Sequence, residues 1–460
     1  MNFSPMVWLR NRFVRDAATL QVAGMINQVS QLISAVALAF LLGAHGQGLY
    51  VSAISLQALF YFMISVGVAQ ATTSQIAAAA ARGNEYKSSG WVTFMAKAVL
   101  VFGTLLLVGG ALILPSLGET LYGSREVGVW AAWLCAQPLL ELPRVVAMVS
   151  FQGTRRMFLL GQVENGHELV RFFLVILGAT ITGTAEGAII GTLLASVIGS
   201  ILASELYREA RKDGGHPLPS VRQIVARMRE IKIRQGIRQG VRVALLKNGQ
   251  SLFGTVFPRL IIGVVAGVSW VTYFHIAQRI MMVPMMFALG VSRTLLPALG
   301  ELAGKKDLAR FRRLFVRATL ITGGLITACE LCLLALVPWL VPLLFPEDYV
   351  RPVFTFAGIL VIGYIPYGFG ATLESFYIVA NRIKALLFIT TLGAAITIPI
   401  NVWLILHVPY TGTAWGLSLY QSWTLVHLMY VARFFHTVRR RGAVWGEGEG
   451  DMQSRGAGEG

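Results

Sequence analysis

The sequence predicts an all-α polytopic membrane protein of about twelve transmembrane helices. They form two six-helix lobes related by a pseudo-two-fold axis along the membrane normal. Three observations predict this. Of the 460 residues, 55% are hydrophobic and 13% charged, with a mean hydropathy of +0.65, which leaves too little polar surface for a water-solvated body. Twelve apolar stretches are each long enough to cross a hydrocarbon core of about 30 Å. The string Thr-Gly-Thr-Ala-x-Gly occurs at Thr182 to Gly187 and again at Thr411 to Gly416, 229 residues apart and almost half the chain length.

In chain order the stretches are 17–42, 49–79, 91–115, 128–150, 158–180 and 184–206, then 240–266, 268–298, 315–345, 352–378, 385–407 and 411–434. Continuous apolar runs of this length exclude strand barrels, which alternate over short segments. Six spans per half return the chain to its starting side, so the halves share one orientation, as in parallel-repeat transporters. Other paired features support duplication: each copy of the string introduces an apolar segment, Ala188 to Leu206 and Leu417 to Ala432. Gly43 in Leu41-Leu42-Gly43 matches Gly263 in Ile261-Ile262-Gly263, and Gly153-Thr154-Arg155 resembles Ala380-Asn381-Arg382.

The net charge of +17 would suit nucleic acid, but the placement of the cations points elsewhere. Arg10, Arg12 and Arg15 precede span one, and Arg82 and Lys87 follow span two. Arg155 and Arg156 follow span four, Arg382 and Lys384 follow span ten, and Arg439 to Arg441 follow the last span. The largest groups lie between spans six and seven (Arg208 to Arg238) and between eight and nine (Lys305 to Arg313). All these connections fall on one face, whereas the opposite face holds Arg125 and Arg351. The positive-inside rule therefore places both termini in the cytoplasm and excludes nucleic acid as the partner.

The chain divides into an interfacial segment at 1–16, an N-terminal lobe at 17–207, a basic cytoplasmic linker at 208–239, a C-terminal lobe at 240–435 and a disordered tail at 436–460. Trp8, Leu9, Phe13 and Val14 among arginines suit a helix lying on the inner leaflet rather than a cleaved signal. The tail is rich in Gly and Glu. Cys135, Cys329 and Cys332 all fall in apolar segments. Cys329-Glu330-Leu331-Cys332 has redox spacing but reads as helix packing within a span.

Ionisable groups in the hydrocarbon region are costly unless they face a polar cavity or a partner, so they mark the candidate site. In span one, Asp16, Asn27, Gln28 and Gln31 fall within an arc of about 120°, opposite an apolar arc. Such a face serves water, a polar ligand or interhelical hydrogen bonds. In span eight, His275, Gln278, Arg279, Met282, Met286 and Arg293 share a stripe. Arg279 sits near mid-membrane, where a permanently charged, forked guanidinium suits a diphosphate or pairs with a carboxylate from another helix. Span seven adds Lys247 and Asn248 in its cytoplasmic half and Arg259 near its outer end. Pro258 and Pro284 interrupt spans seven and eight as bending points. In span five, Glu164, His167, Glu168 and Arg171 share a face. Without a second Glu-x-x-His they read as a structural ion-pair network, which Glu141 and Arg144 could join, rather than a metal site.

No nucleotide-binding loop is expected, since Gly300 to Lys306 is one residue short and lacks the hydroxyl residue. No catalytic motif, metal or cofactor is expected either, so the chain reads as a non-enzyme.

The chain resembles the MOP exporter superfamily in its polysaccharide-transporter, oligosaccharide-flippase branch (Wzx-like, SpoVB/MurJ-like). The resemblance runs from Arg15 to Ala432. Its marks are Leu41 to Tyr50, Phe151 to Met157, Glu168-Leu169-Val170-Arg171, Phe257-Pro258-Arg259-Leu260, Pro297-Ala298-Leu299 with the basic stretch Lys305 to Arg317, and Asn381-Arg382-Ile383-Lys384. It implies two lobes around a cavity lined mainly by spans one, two, seven and eight that opens alternately to each side of the bacterial cytoplasmic membrane. It also implies a lipid-linked saccharide as substrate, typically on polyprenyl pyrophosphate. Membrane lipids are expected partners, and a coupling ion (H+ or Na+) and envelope polysaccharide assembly proteins are candidates; without a nucleotide domain, movement is open to drive by membrane potential, a coupled ion or the substrate gradient. The substrate cavity is then expected at Arg15, Asn27, Gln28, Gln31, Lys247, Asn248, Arg259, His275, Gln278 and Arg279. Two alternatives stay open. A multidrug/cation antiporter of the same superfamily needs a deep acidic residue in the cavity, for which Asp16 is too shallow. A non-transport scaffold for envelope assembly would leave the cavity without a role.

Overall fold

The computed structural model describes residues 12–64, 68–212, 218–231, 252–305, 307–408 and 410–441. Among these the chain is helical, with no strand. Spans one and two lie in α1 (Arg12–Ile64), with α2 (Val68–Ala81) completing the second. Span three is α3 (Glu85–Tyr122), and span four is divided into α4 (Arg125–Leu134), α5 (Gln137–Leu140) and α6 (Leu142–Gly153). Spans five and six are α7 (Met157–Thr182) and α8 (Ala185–Lys212), and α9 (Val221–Arg227) lies in the linker. In the second lobe, a π-helical turn at Leu252–Val256 and α10 (Phe257–Val265) are the described part of span seven, with α11 (Val268–Met281) and α12 (Met286–Gly304) forming span eight. Span nine is α13 (Leu308–Leu344), span ten is α14 (Val350–Phe369) and α15 (Leu373–Val379), and span eleven is α16 (Ile383–His407). Span twelve is α17 (Gly412–Ser422) and α18 (Thr424–Arg441).

Six of these helices are long and apolar enough to cross a membrane unaided, and span four, bent by 49°, makes a seventh. Several expected continuous spans are interrupted instead. Pro143 begins α6 after the bend, Pro258 begins α10, and Pro284 sits in the tight turn Val283–Met285 that divides span eight. Proline cannot donate to the preceding turn, so each marks a point where the helix ends or bends.

The backbone registers the duplication at matching points. Gly43 links spans one and two at φ 64°, a left-handed conformation that a Cβ disfavours. Its counterpart is Gly267, which links spans seven and eight at φ 98°. This corrects the pairing of Gly43 with Gly263, which is helical and packed on the ring of Tyr122. Arg155 and Asn381 take left-handed conformations after spans four and ten, and Gly183 and Tyr410 do so before spans six and twelve. The Asn84 side chain caps α3 by accepting from Lys87 N at 2.9 Å, and Asp307 caps α13 by accepting from Arg310 N at 3.0 Å. The last glycine of the repeated string is a point of close approach in both lobes. A Cβ on Gly187 would lie 2.2 Å from Gly178 O, and one on Gly416 would lie 2.0 Å from Asn401 Oδ1.

The core reveals how the lobes meet. One apolar cluster, including Leu56, Trp130, Phe274 and Phe356, runs across both lobes at one end. At the other end each lobe has its own: Phe94, Phe151 and Ile224 in the first, Phe311, Phe376 and Phe435 in the second. The shared end is sealed where α1 meets α11. Gly48 abuts the Val268 carbonyl, and Thr272 Oγ1 donates to Ala44 O at 2.8 Å. The lobes therefore join at the end of Gly43 and Gly267 and part at the end bearing the basic connections, leaving a polar cleft between them.

Candidate functional site: a polar cleft between the lobes

The cleft holds a cavity of about 490 Å³. Its N-lobe wall is built by α1, α6 and α7, and its C-lobe wall contributes Arg279 from α11. On α1, Gln31 donates to Asn27 Oδ1, and both line the cavity. Met25, Val29 and Ile33 are exposed on the other face of this helix, which makes them the lipid-facing stripe.

Span five supplies the densest polar group. Glu164, His167, Glu168 and Arg171 recur every three or four residues along α7, so one face carries all four into the cavity. Arg171 grips Glu168 with two guanidinium nitrogens, the Nε contact being 3.1 Å. The neighbouring carboxylate, Glu141 at the bend of span four, pairs with Arg144. It also lies 3.6 Å from His167 Nε2 and accepts from Ser196 Oγ at 2.9 Å. The bend places Glu141 against α7 and α8, so one network ties spans four, five and six. Among the described residues no group of three or more His, Cys, Asp or Glu is placed to hold a metal ion.

Arg279 stands apart. Among the described residues it forms no salt bridge, and its Nε is buried without a hydrogen-bond partner. It faces the N-lobe ion pairs across the cavity. A desolvated guanidinium with an unsatisfied Nε–H is suited to an anion, since an unmade charged hydrogen bond there is worth about 1.5–3 kcal/mol to a ligand that completes it.

The remaining expected site residues are distributed otherwise. Arg259, His275 and Gln278 lie inside the C-terminal lobe rather than on the cleft, all buried. Arg259 Nη2 donates to Gln278 Oε1 at 2.7 Å, and Gln278 Nε2 donates to Gly254 O at 2.8 Å. The physical reason is that α11 separates two polar environments, so Gln278 and Arg279, about 100° apart, point into different ones. Gln28 is half-buried and does not line the cavity. Lys247 and Asn248 lie outside the described residues, as does the side chain of Arg15.

Sequence reasoning missed Glu330 as a polar residue of interest. It is 0% exposed in the C-terminal lobe. Its signal was present, because it is the sole acidic residue of span nine, but it was absorbed into the Cys-x-x-Cys spacing. Cys332 is exposed and Cys329 half-buried, and neither is in a disulfide.

Two bundles that join at one end and enclose a polar cleft define a membrane transporter, and the comparisons place it in the MOP superfamily. Residues 13–303 match the family model described as polysaccharide biosynthesis protein, and residues 249–403 match the MatE model. The chain belongs to the polysaccharide biosynthesis protein family, the polysaccharide-transporter branch of that superfamily. A curated relative is Stage V sporulation protein B of Bacillus subtilis (strain 168), 25% identical over 183 residues. That alignment covers 37% of this chain and 33% of the relative. Among solved structures, the inward-facing conformation of a multidrug resistance MATE family transporter superimposes with a TM-score of 0.70 at 14% identity, over 93% of this chain and 100% of that one. An outward-facing conformation of such a transporter gives 0.62 at 15% identity, over 92% and 96%. A MOP superfamily transporter from Pyrococcus furiosus, described as having a binding pocket of reverse polarity, gives 0.61 at 15% identity, over 93% and 96%. These structural likenesses establish the two-lobed fold.

Proposed function

We propose that this chain is a secondary-type flippase. It moves a lipid-linked oligosaccharide or polysaccharide precursor, carried on polyprenyl pyrophosphate, from the cytoplasmic to the outer leaflet of the bacterial cytoplasmic membrane. The observation that carries this reading is the buried guanidinium of Arg279 at the cleft, whose Nε has no hydrogen-bond partner and which forms no salt bridge among the described residues. In this reading the basic connections face the cytoplasm, so the parted end of the lobes admits substrate from that side. The diphosphate binds Arg279 on the C-lobe wall. Arg144 and Arg171, held by Glu141 and Glu168 on the opposite wall, supply further positive charge by exchanging partners. Rocking of the lobes opens the seam at Ala44 to Gly48 and closes the cytoplasmic end, and restored ion pairs release the anion outside. The saccharide stays in the polar cleft and the polyprenyl chain in the lipid. The family membership and the weak similarity to the sporulation protein support a saccharide substrate.

The test is flipping of a lipid-linked saccharide by the full chain reconstituted in liposomes. Arg279→Ala should slow flipping roughly ten- to a hundredfold, the equivalent of about 1.5–3 kcal/mol, at unchanged protein level. Arg279→Lys should rescue only in part, because an ammonium cannot form the bidentate fork. Full activity of the alanine variant removes Arg279 from the mechanism. Absence of flipping by the wild type, with envelope assembly in cells unaffected by Arg279→Ala, favours the scaffold alternative.

A further inference from the structure

Glu330 lies at the centre of span nine, surrounded by the helices of the C-terminal lobe. It is 0% exposed, and neither carboxyl oxygen has a hydrogen-bond partner. Nothing in the cleft reaches it, and the ion pairs of the N-lobe do not use it. An ionised carboxylate without a donor in such a place costs several kcal/mol. The packing around Glu330 is accommodated by the neutral acid.

The groups around it specify what it can carry. From α14, Tyr364 is the titratable group that interacts with it. On α11, His275 and Arg279 interact with Arg259 and the cleft instead. The turns Val283–Met285 and Gly370–Thr372 contain no titratable group. Glu347 and Asp348 follow the end of α13, about four helical turns away. On α12, the side chain of Arg293 lies outside those described, and Glu301 is exposed at the far end, paired with Lys305. Among the described residues Glu330 belongs to no group of three or more His, Cys, Asp or Glu that could hold a metal ion. A proton needs only the carboxylate itself. Tyr364 also interacts with Gln278 and Gln421, and Gln278 holds Arg259. Tyr364 is thus the polar neighbour that Glu330 shares with α11, where the residue after Gln278, Arg279, enters the cleft.

We propose that Glu330 is a proton-carrying site that couples a proton gradient to the movement of the lobes. In the conformation described here the carboxyl group is loaded. When α13 and α14 shift during rocking, water or the Tyr364 hydroxyl reaches the group, the O–H bond breaks, the proton passes to water and a carboxylate remains. Rebinding of a proton from the other side completes the cycle. The coupling role rests on the transport reading above, whereas the proton site does not, and the two can fail separately.

The experiment uses the full chain in liposomes and follows the infrared carbonyl band of protonated carboxylic acids while pH is varied. A band that fades at alkaline pH in the wild type and is missing in Glu330→Gln is the expected result. Glu330→Gln has the shape of the neutral acid and should keep the fold. Should it fail to accumulate, Tyr364→Phe decides. Removing the hydroxyl while keeping the ring should displace the titration by roughly two- to tenfold in proton affinity. A band that persists in Glu330→Gln, or one that neither responds to pH in the wild type nor shifts in Tyr364→Phe, overturns the site. For coupling, flipping of a lipid-linked saccharide should respond to an imposed pH gradient in the wild type and lose that response in Glu330→Gln. An equal response in both overturns coupling at Glu330, while a wild type that titrates but does not flip overturns the substrate reading alone.

Discussion

Replacing Gly48 with alanine should push the lobes apart at the end where they now join. A Cβ at this position would lie 2.0 Å from Val268 O and 2.6 Å from its carbonyl carbon, both backbone atoms that no rotamer change can move. Relieving the overlap requires α1 and α11 to separate by roughly 1 Å or more, since non-bonded contacts settle near 3.5 Å. Overpacking of this kind costs about 1–3 kcal/mol. The cost falls on the sealed conformation and is absent once the seam opens, so the ratio of sealed to open molecules should fall roughly five- to hundredfold. Thr272→Val removes the 2.8 Å hydrogen bond to Ala44 O at the same seam and should act in the same direction by about 1 kcal/mol. Spin labels on cysteines introduced at Glu126 and Arg351, in a background with the three native cysteines replaced, report the separation by pulsed electron resonance. Gly48→Ala should enlarge the long-distance population, and Thr272→Val should do so to a lesser extent. An unchanged distance distribution in Gly48→Ala, in protein that binds and flips normally, would refute the idea that this contact seals one conformation.

Three further outcomes follow. Glu168→Gln leaves Arg171 without its charged partner and should lower thermal stability by about 1.5–3 kcal/mol, with Arg171→Met in the same chain restoring most of it. Additive losses in the double variant would show that the pair is not coupled. Lys97 on α3 donates to Met228 O and Ile231 O, each at 2.9 Å, tying the linker to the N-lobe. Lys97→Met should therefore speed protease cleavage around Arg227 several-fold without changing the wild-type fragment pattern elsewhere, and an unaltered cleavage rate would count against the tie. Thiol labelling at Glu119 and Glu347 should occur from outside the cell and at Arg211 only from inside; external labelling at position 211 would overturn the orientation.

How much of this was legible in the sequence depends on what each signal encodes. Hydrophobic length records where a chain enters and leaves lipid, and the twelve stretches coincide with helical segments wherever they are described. The repeated string was readable because its final glycine is held to small size in both lobes by contact with a neighbouring backbone or side chain. Gly43 and Gly263 were mispaired because similar apolar flanks carry no record of φ, whereas the requirement for a left-handed residue falls on Gly267.

The site was harder to read for a related reason. Helical periodicity groups His275, Gln278 and Arg279 on one arc but does not say what stands opposite that arc. The packing divides it, sending Arg279 to the cleft and Gln278 to Arg259 within the lobe. In span five the four polar residues recur at helical spacing over two turns, enough to define a face, and that face does meet the cavity. Glu330 has no periodic companion, so neither pattern nor motif distinguished it from a packing residue. Only its burial without a donor does so, and that property belongs to the neighbours rather than to span nine. Depth in the membrane is therefore a property of one stretch of sequence, while orientation within a bundle belongs to several at once. Polar residues that act in clusters along one helix are legible before the fold is known. Those that stand alone along their helix, as Arg279 and Glu330 do here, are located only when the surrounding helices are in place.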